Sequence, residues 1–252
     1  MRIKFNKEIE FLIKKFFISE KYLLKKRLKK AIKKNYEEEM SLLEKIVNKN
    51  QESVDVGVYR GVYTYKLAQI CKHVHAFEPN SLILPYLKKN LKKIVSNMTL
   101  YDLALSNEIA IVDLKIPKRF DTINKNDYEQ MYKLGCGTIH TQNILKKESY
   151  ITQKVKTAKL DSILLKKNIG FIKIDVEGHE KNVIKGAANI IKNSQPNLLV
   201  EIEERHSNEK VEDTINFINS LGYKSYFCEK NDLIKTSKLT DYKLKNNYIF
   251  LK

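Results

Sequence analysis

The sequence predicts an α/β fold: a doubly wound, mostly parallel sheet of about seven strands, one of them antiparallel, preceded by an N-terminal helical arm. Three observations carry this expectation. Short apolar, β-branched runs alternate with helical patterns from residue 53 to residue 221. The first run, Ser53-Val54-Asp55-Val56, turns through Gly57 and Gly61 straight into a helical pattern. The last two runs, Tyr223–Cys228 and Tyr248–Leu251, lie too close together for a helical crossover and read as an antiparallel pair.

A chain of 252 residues with 42% hydrophobic residues suits one large domain plus a small appendage. Residues 1–45 read as that appendage and 46–252 as the domain. Cys71, Cys136 and Cys228 are far apart, which points to a reducing compartment and away from a disulfide framework or a zinc site. No apolar run approaches the ~18 residues of a membrane span. Lys14 and Lys15 interrupt the N-terminal apolar stretch, which argues against a secretory signal. The expectation is a cytoplasmic protein, with peripheral contact at the inner membrane face as an option.

That option comes from the arm. Residues 1–34 hold thirteen Lys or Arg and three Glu, a net +10 of the total +17. Phe5, Ile9, Leu12, Phe16, Leu24, Leu28 and Ile32 recur near helical spacing, so one or two amphipathic helices with a lysine-rich outer face are expected. Three readings stay open: a helix packed on the domain with a solvated face, an anchor on anionic membrane, or phosphate neutralisation on nucleic acid. The arm carries no recognisable nucleic-acid module, so nucleic acid ranks last. Glu37–Ile46 reads as a further helix with Glu37, Glu38 and Glu39 in its first turn.

Within the domain, Gly57 and Gly61 form G-x-x-x-G, not the dinucleotide fingerprint and not a Walker loop. Such a turn brings a ligand close to the backbone, or is simply a tight strand-to-helix turn. A helix over Tyr63–Ile70 and a strand over Val74–Phe77 follow, ending at Glu78 and Pro79. An acid at that strand end can accept both ribose hydroxyls of a nucleoside. A helix over Leu82–Ile94 and a strand over Met98–Tyr101 come next. Asp102 then faces either an adenine amine or solvent. Ile109–Ile116 reads as a strand extending an edge. Residues 117–156 show no long periodic run and read as a substrate loop or lid, with disorder as the plain alternative. Tyr132, Thr138 and His140 sit in it.

Order resumes with a helix over Leu160–Lys167, a buried strand over Phe171–Ile174, a helix over Lys181–Lys192, a strand over Leu198–Ile202 and a helix over Val211–Leu221. The segment between strand and helix, Asp175-Val176-Glu177-Gly178-His179-Glu180, is dense in acids.

This pattern resembles the class I S-adenosylmethionine-dependent methyltransferases. Lys173-Ile174-Asp175-Val176-Glu177-Gly178-His179-Glu180 is similar to the K-I-D-x-E-G-x-E signature of the FkbM methyltransferase family. Asp55-Val56-Gly57, Gly61-Val62-Tyr63, Phe77-Glu78-Pro79-Asn80, Ala104-Leu105-Ser106, Leu160-Asp161, Lys185-Gly186-Ala187, Pro196-Asn197 and Val200-Glu201 fall in the family's order. Val58-Tyr59-Arg60 departs from it, where the family more often has Ala-Asn before the second glycine. The resemblance implies S-adenosylmethionine as cofactor and a hydroxyl acceptor, most often on a sugar. It implies Gly57 and Gly61 under the methionine, Asp55 toward its amino group, Glu78 on the ribose, and Asp102 with Leu105 beside the adenine. Asp175 and Glu177 are then the favoured polar groups at the methyl position, and His179, Asp175 or Glu201 the base or orienting group, with His206 behind them. The plain alternatives are a helix cap for His179, a turn hydrogen bond for Asp175 and a solvated carboxylate for Glu201. Asp175, Glu177 and Glu201 could offer oxygen to a divalent metal, but no tight motif supports one and no metal is expected. An RNA methyltransferase and a non-catalytic, membrane-attached binding protein are the competing functions. The acceptor and the oligomeric state are not legible.

Overall fold

A computed structural model describes residues 20–33, 37–117, 137–139, 150–207, 209–239 and 242–252. The arm before residue 20, Tyr132, Cys136 and His140 lie outside the described residues.

Among the described residues eleven strands form two sheets: β1 Glu52–Val56, β2 His73–Phe77, β3 Met98–Tyr101, β4 Ala104–Leu105, β5 Ile111–Pro117, β6 Tyr150–Ala158, β7 Ile169–Ile174, β8 Asn197–Glu201, β9 Lys224–Glu229, β10 Asp232–Lys235 and β11 Asn247–Leu251. The main sheet runs β10-β9-β11-β8-β7-β1-β2-β3. The β1 pairs with β2 and β7 are parallel, as are β2 with β3 and β7 with β8. Strand β11 runs antiparallel between β8 and β9, as its proximity to β9 in sequence predicts. The main sheet has eight strands rather than about seven, because β10 adds a second reversed strand at the edge. It folds back through Lys230 and Asn231, both left-handed with φ of 52° and 65°, the backbone that a two-residue hairpin needs. A Lys-Asn turn lacks the glycine that would have announced it.

Two further expectations are corrected. Ile111–Pro117 does not extend the main sheet; it pairs with β6 in a separate three-stranded sheet, β4-β6-β5. Residues 150–158, expected to lie mostly in a structureless loop, are that sheet's central strand. Its half-sheltered positions include the polar Gln153, and its buried ones Thr157, so the apolar alternation that marks a strand is broken. Thr138 docks on β5 through a backbone pair with Lys115, 2.9 Å in each direction.

The described helices are α1 Glu20–Lys33, α2 Leu43–Ile46, α3 Val62–Leu67, α4 spanning 84–94 with a π turn at Leu87–Leu91, α5 Leu160–Leu164, α6 Glu180–Lys185, α7 Ala188–Ser194, α8 Glu204–Ser207 and α9 Val211–Ser220. Glu37–Ile46 is a 3-10 turn, Glu38–Ser41, followed by α2, so Glu37 precedes the helical residues. The expected 181–192 helix is two, broken at Gly186-Ala187. A Cβ at Gly186 would lie 2.0 Å from the Ser106 carbonyl oxygen. Asp161 then caps α7, accepting from the backbone N–H groups of Asn189 (2.9 Å) and Ile190 (3.0 Å).

Two cores sandwich the sheet. Leu24 and Leu28 of α1, Leu67 of α3 and Leu87 and Leu91 of α4 pack on one face. Leu164, Val183, Ile190, Ile191, Ile215 and Ile218 pack on the other. Period-2 alternation assigns the strand side chains: Ile172 and Ile174 face the second core, so Lys173 faces α3. Among the described residues no helix is long and apolar enough to cross a membrane.

Candidate active site

Three parallel strands end on one rim. Val56 aligns with Phe77 on one side and Ile174 on the other. The residues that follow, Gly57, Glu78 and Asp175, therefore share that rim. The Gly57 N–H donates to the Phe77 carbonyl (3.0 Å) and the Asp175 N–H to the Val56 carbonyl (3.0 Å). Gly57 has φ of 86°, and a Cβ there would stand 1.9 Å from the Asp175 carbonyl oxygen, so the turn admits only glycine.

Above this rim lies a cavity of about 230 Å³. A side chamber of about 60 Å³ shares Glu37, Gly57, Tyr59, Arg60 and Asp175 with it. Of the sequence-predicted residues, Gly57, Glu78, Leu105, Asp175, Glu177 and Glu201 line the cavity. Pro79, Leu103, Leu105, Leu114 and Ile139 supply its apolar part, the last two from the small sheet and the segment bridged to it.

Glu78 is buried and accepts from the backbone N–H groups of Tyr59 (2.8 Å) and Asn80 (2.9 Å). Burial pushes its pKa up to about 7 against the pull of those two donors. Tyr59 reaches this contact with φ of 48°, a left-handed backbone that costs a side-chain-bearing residue about 1–2 kcal/mol. This is where the sequence departs from Ala-Asn.

Below the cavity floor sits a charge cluster that the parallel register builds. Asp55 of β1 is the register partner of Lys173 of β7, and both are buried. Lys173 donates to Asp175 Oδ2 (2.8 Å) and lies 4.9 Å from the Tyr63 ring centroid. Burial alone would lower the Lys173 pKa, but Asp175, Asp55 and Glu37 outweigh it and raise it. Asp55 accepts from Thr64 Oγ1 (2.5 Å), and among the described residues its Oδ1 finds no donor. Burial pushes Asp55 up to about 6 despite Lys173. Burial, then the charge of Asp175, raise Glu201 far above the ordinary carboxylate range.

Four predicted residues stand elsewhere. Asp55 is under the floor, not in the lining. Gly61 has φ of 75° and a Cβ there would meet Leu91 at 2.6 Å, so it serves the packing of α3 on α4. Asp102 is more than half exposed and faces Lys88 at 3.5 Å. His179 precedes α6, with Nε2 2.9 Å from Ser106 Oγ and Nδ1 3.3 Å from Asn182 Nδ2, behind the lining. His206 instead holds Glu177, Nε2 to Oε2 at 2.7 Å. Against the lowering effect of burial, that partner raises the His206 pKa. Gly178 permits the contact: a Cβ there would lie 2.5 Å from the His206 carbonyl oxygen. Glu180 is structural, accepting from the Gly178 N–H at 2.8 Å.

Sequence reasoning missed Glu37, Lys173, Tyr63 and Arg60. The Tyr63 hydroxyl hydrogen-bonds to Glu37, which swings into the cavity. The signal for Lys173 was present: one lysine inside an otherwise apolar strand. Among the described residues no group of three or more His, Cys, Asp or Glu is arranged to hold a metal ion.

A family profile described as the methyltransferase FkbM domain matches residues 55–225. The chain belongs to the FkbM methyltransferase family. The FkbM match takes in every predicted site residue, while Glu37 and α1 lie outside it. A crystal structure of methyltransferase FkbM from Methylobacillus flagellatus KT is similar in fold, with TM-score 0.52 and 18% identity, covering 81% of this chain and 44% of that one. Ribosomal RNA small subunit methyltransferase A of Mycoplasma mobile is 32% identical over 93 residues, 35% of this chain and 36% of that protein. Both matches span less than half of the relative's own length. S-adenosylmethionine is the methyl donor of the FkbM family, and the chemistry of the lining fits it: Glu78, held by two backbone donors, the apolar side chains of Leu103, Leu105 and Leu114, and acids suited to a cationic ligand.

Proposed function

We propose that the protein is an S-adenosylmethionine-dependent O-methyltransferase whose acceptor is a sugar hydroxyl. The observation that carries this reading is the set of four carboxylates, Glu37, Asp175, Glu177 and Glu201, in the lining beside the Gly57 turn. When bound, the cofactor supplies an electrophilic methyl group on a sulfonium. Glu78 would hold its ribose and Leu103, Leu105 and Leu114 its adenine. Glu37 and Asp175 would face its ammonium, and Arg60 its carboxylate.

Transfer to a hydroxyl needs the reactants held in line and a proton removed as the oxygen attacks. Glu201 is the base in this reading. Burial and the neighbouring Asp175 make it a stronger base than an ordinary carboxylate. A cationic ligand in the cavity lowers its pKa back toward the working pH, where general bases are most effective. Asp175, fixed by Lys173, orients the hydroxyl, and Glu177, fixed by His206, accepts from a neighbouring one. Several carboxylates at one wall suit an acceptor with several adjacent hydroxyls. They repel a phosphodiester, which weighs against RNA.

RNA methylation is the second reading, favoured by the 93-residue match to a ribosomal RNA methyltransferase and by the net charge of +17. Isotope-labelled methyl donor offered with cell glycans and with ribosomal RNA separates the two. Label in the glycan fraction, abolished by Glu201→Gln, supports the sugar reading; label in RNA alone overturns it.

A further inference from the structure

The outer surface of α1 does not stand alone. Leu24 and Leu28 bury its apolar stripe on α3 and α4, so α1 and α4 lie side by side. Lys21, Lys25, Lys26, Arg27, Lys29, Lys30 and Lys33 of α1 are exposed. So are Lys88, Lys89, Lys92 and Lys93 of α4. The two helices carry eleven cations and one acid in sequence, a net +10. Half-exposed Tyr22 stands among them. Among the described residues Asp102 reaches Lys88 at 3.5 Å.

We infer that this two-helix face docks the protein on an anionic lipid surface. Its chemistry selects that partner. Ten of the eleven cations are lysine, point charges suited to diffuse attraction by anionic headgroups, whereas nucleic-acid recognition favours the planar fork of arginine. The cations cover two adjacent helices rather than tracking a groove. Tyr22 is the one exposed aromatic residue on the two described helices, too few for a base-stacking platform. Because Leu24 and Leu28 are already buried, the described turns of α1 present no apolar stripe to insert, so docking by this face is electrostatic and salt-steep.

Both helices also connect to the cavity. Glu37, in the lining, lies four residues beyond Lys33, and Asn80, also in the lining, four residues before Leu84. With the sugar acceptor proposed above, a lipid-linked sugar becomes the fitting class of acceptor; docking itself does not depend on that reading.

The test is co-sedimentation of the full chain with phosphatidylcholine vesicles, with and without 30% phosphatidylglycerol, at about 0.1 M salt, with a duplex RNA as competitor. At roughly fivefold per lysine, the variant K88E/K89E/K92E/K93E should lose at least 100-fold in affinity for the anionic vesicles while binding S-adenosylhomocysteine as before. The second variant, K25E/K26E/K29E/K30E, should do the same. Equal binding to neutral vesicles, unchanged binding by both variants, or displacement by RNA at far lower charge concentration than the lipid would each overturn the inference. Transfer to a soluble sugar, assayed without vesicles, reports on the acceptor reading separately.

Discussion

Replacing Lys173 by Met probes the charge cluster on which the cavity rests. Lys173 is 3% exposed, and its ammonium sits 2.8 Å from Asp175 and beside its register partner Asp55. Met fills the volume but leaves two carboxylates without their cation, and among the described residues Asp55 is left with the Thr64 hydroxyl as its side-chain donor. Removing one partner of a buried ion pair costs about 3–5 kcal/mol. The carboxylates can escape part of this by taking protons, so the loss should be largest near pH 8 and shrink toward pH 5. Urea unfolding of the variant and the wild type at both values measures it. Adding Asp55→Asn should recover about 1–3 kcal/mol at pH 8, because the uncompensated charge is then gone. A loss under 1 kcal/mol at pH 8, or one that does not change with pH, would refute the account of the cluster.

Three further outcomes are expected. Glu201→Gln should lower kcat at least 100-fold and leave the cofactor KM within about threefold, since the base acts only as the hydroxyl attacks; steady-state kinetics checks it. Gly57→Ala should abolish cofactor binding, because its Cβ would overlap the Asp175 carbonyl at 1.9 Å; calorimetry on soluble protein reads this. The wild type should be more stable near pH 5 than near pH 8, by roughly 2–4 kcal/mol. Burial raises Asp55 to about 6 and Glu39, Glu78 and Glu180 to about 7. A carboxyl with a raised folded pKa gives stability that is complete below its unfolded value and is lost as pH climbs through about 6–7. Denaturant titration across that window tests the sign.

Residues whose role is local were legible in the sequence. Gly57 and Glu78 follow strands, and their placement on one rim comes from parallel register, which alternating strands and helices already imply. Asp175 follows from the same rule. Roles set by distant packing were not legible. The Asp55–Lys173 contact needs β1 and β7 to be neighbours, although more than a hundred residues separate them. Glu37 looked like a first-turn acid, and the Tyr63 hydroxyl holds it at the cavity. On paper His179 ranked ahead of His206; in the fold Ser106 holds the first behind the lining and Glu177 holds the second against it. Strand β6 was hidden because Gln153 occupies an inward position to receive Ser81 at 3.0 Å.

The most direct measurement is isothermal titration of the full chain with S-adenosylhomocysteine, for the wild type, Glu78→Ala and Asp102→Asn. One site should bind in the wild type, at least tenfold more weakly without the Glu78 carboxylate, and unchanged in Asp102→Asn because that side chain faces Lys88 and solvent. No heat from the wild type, or a loss in Asp102→Asn equal to that in Glu78→Ala, would contradict the assignment of the cavity.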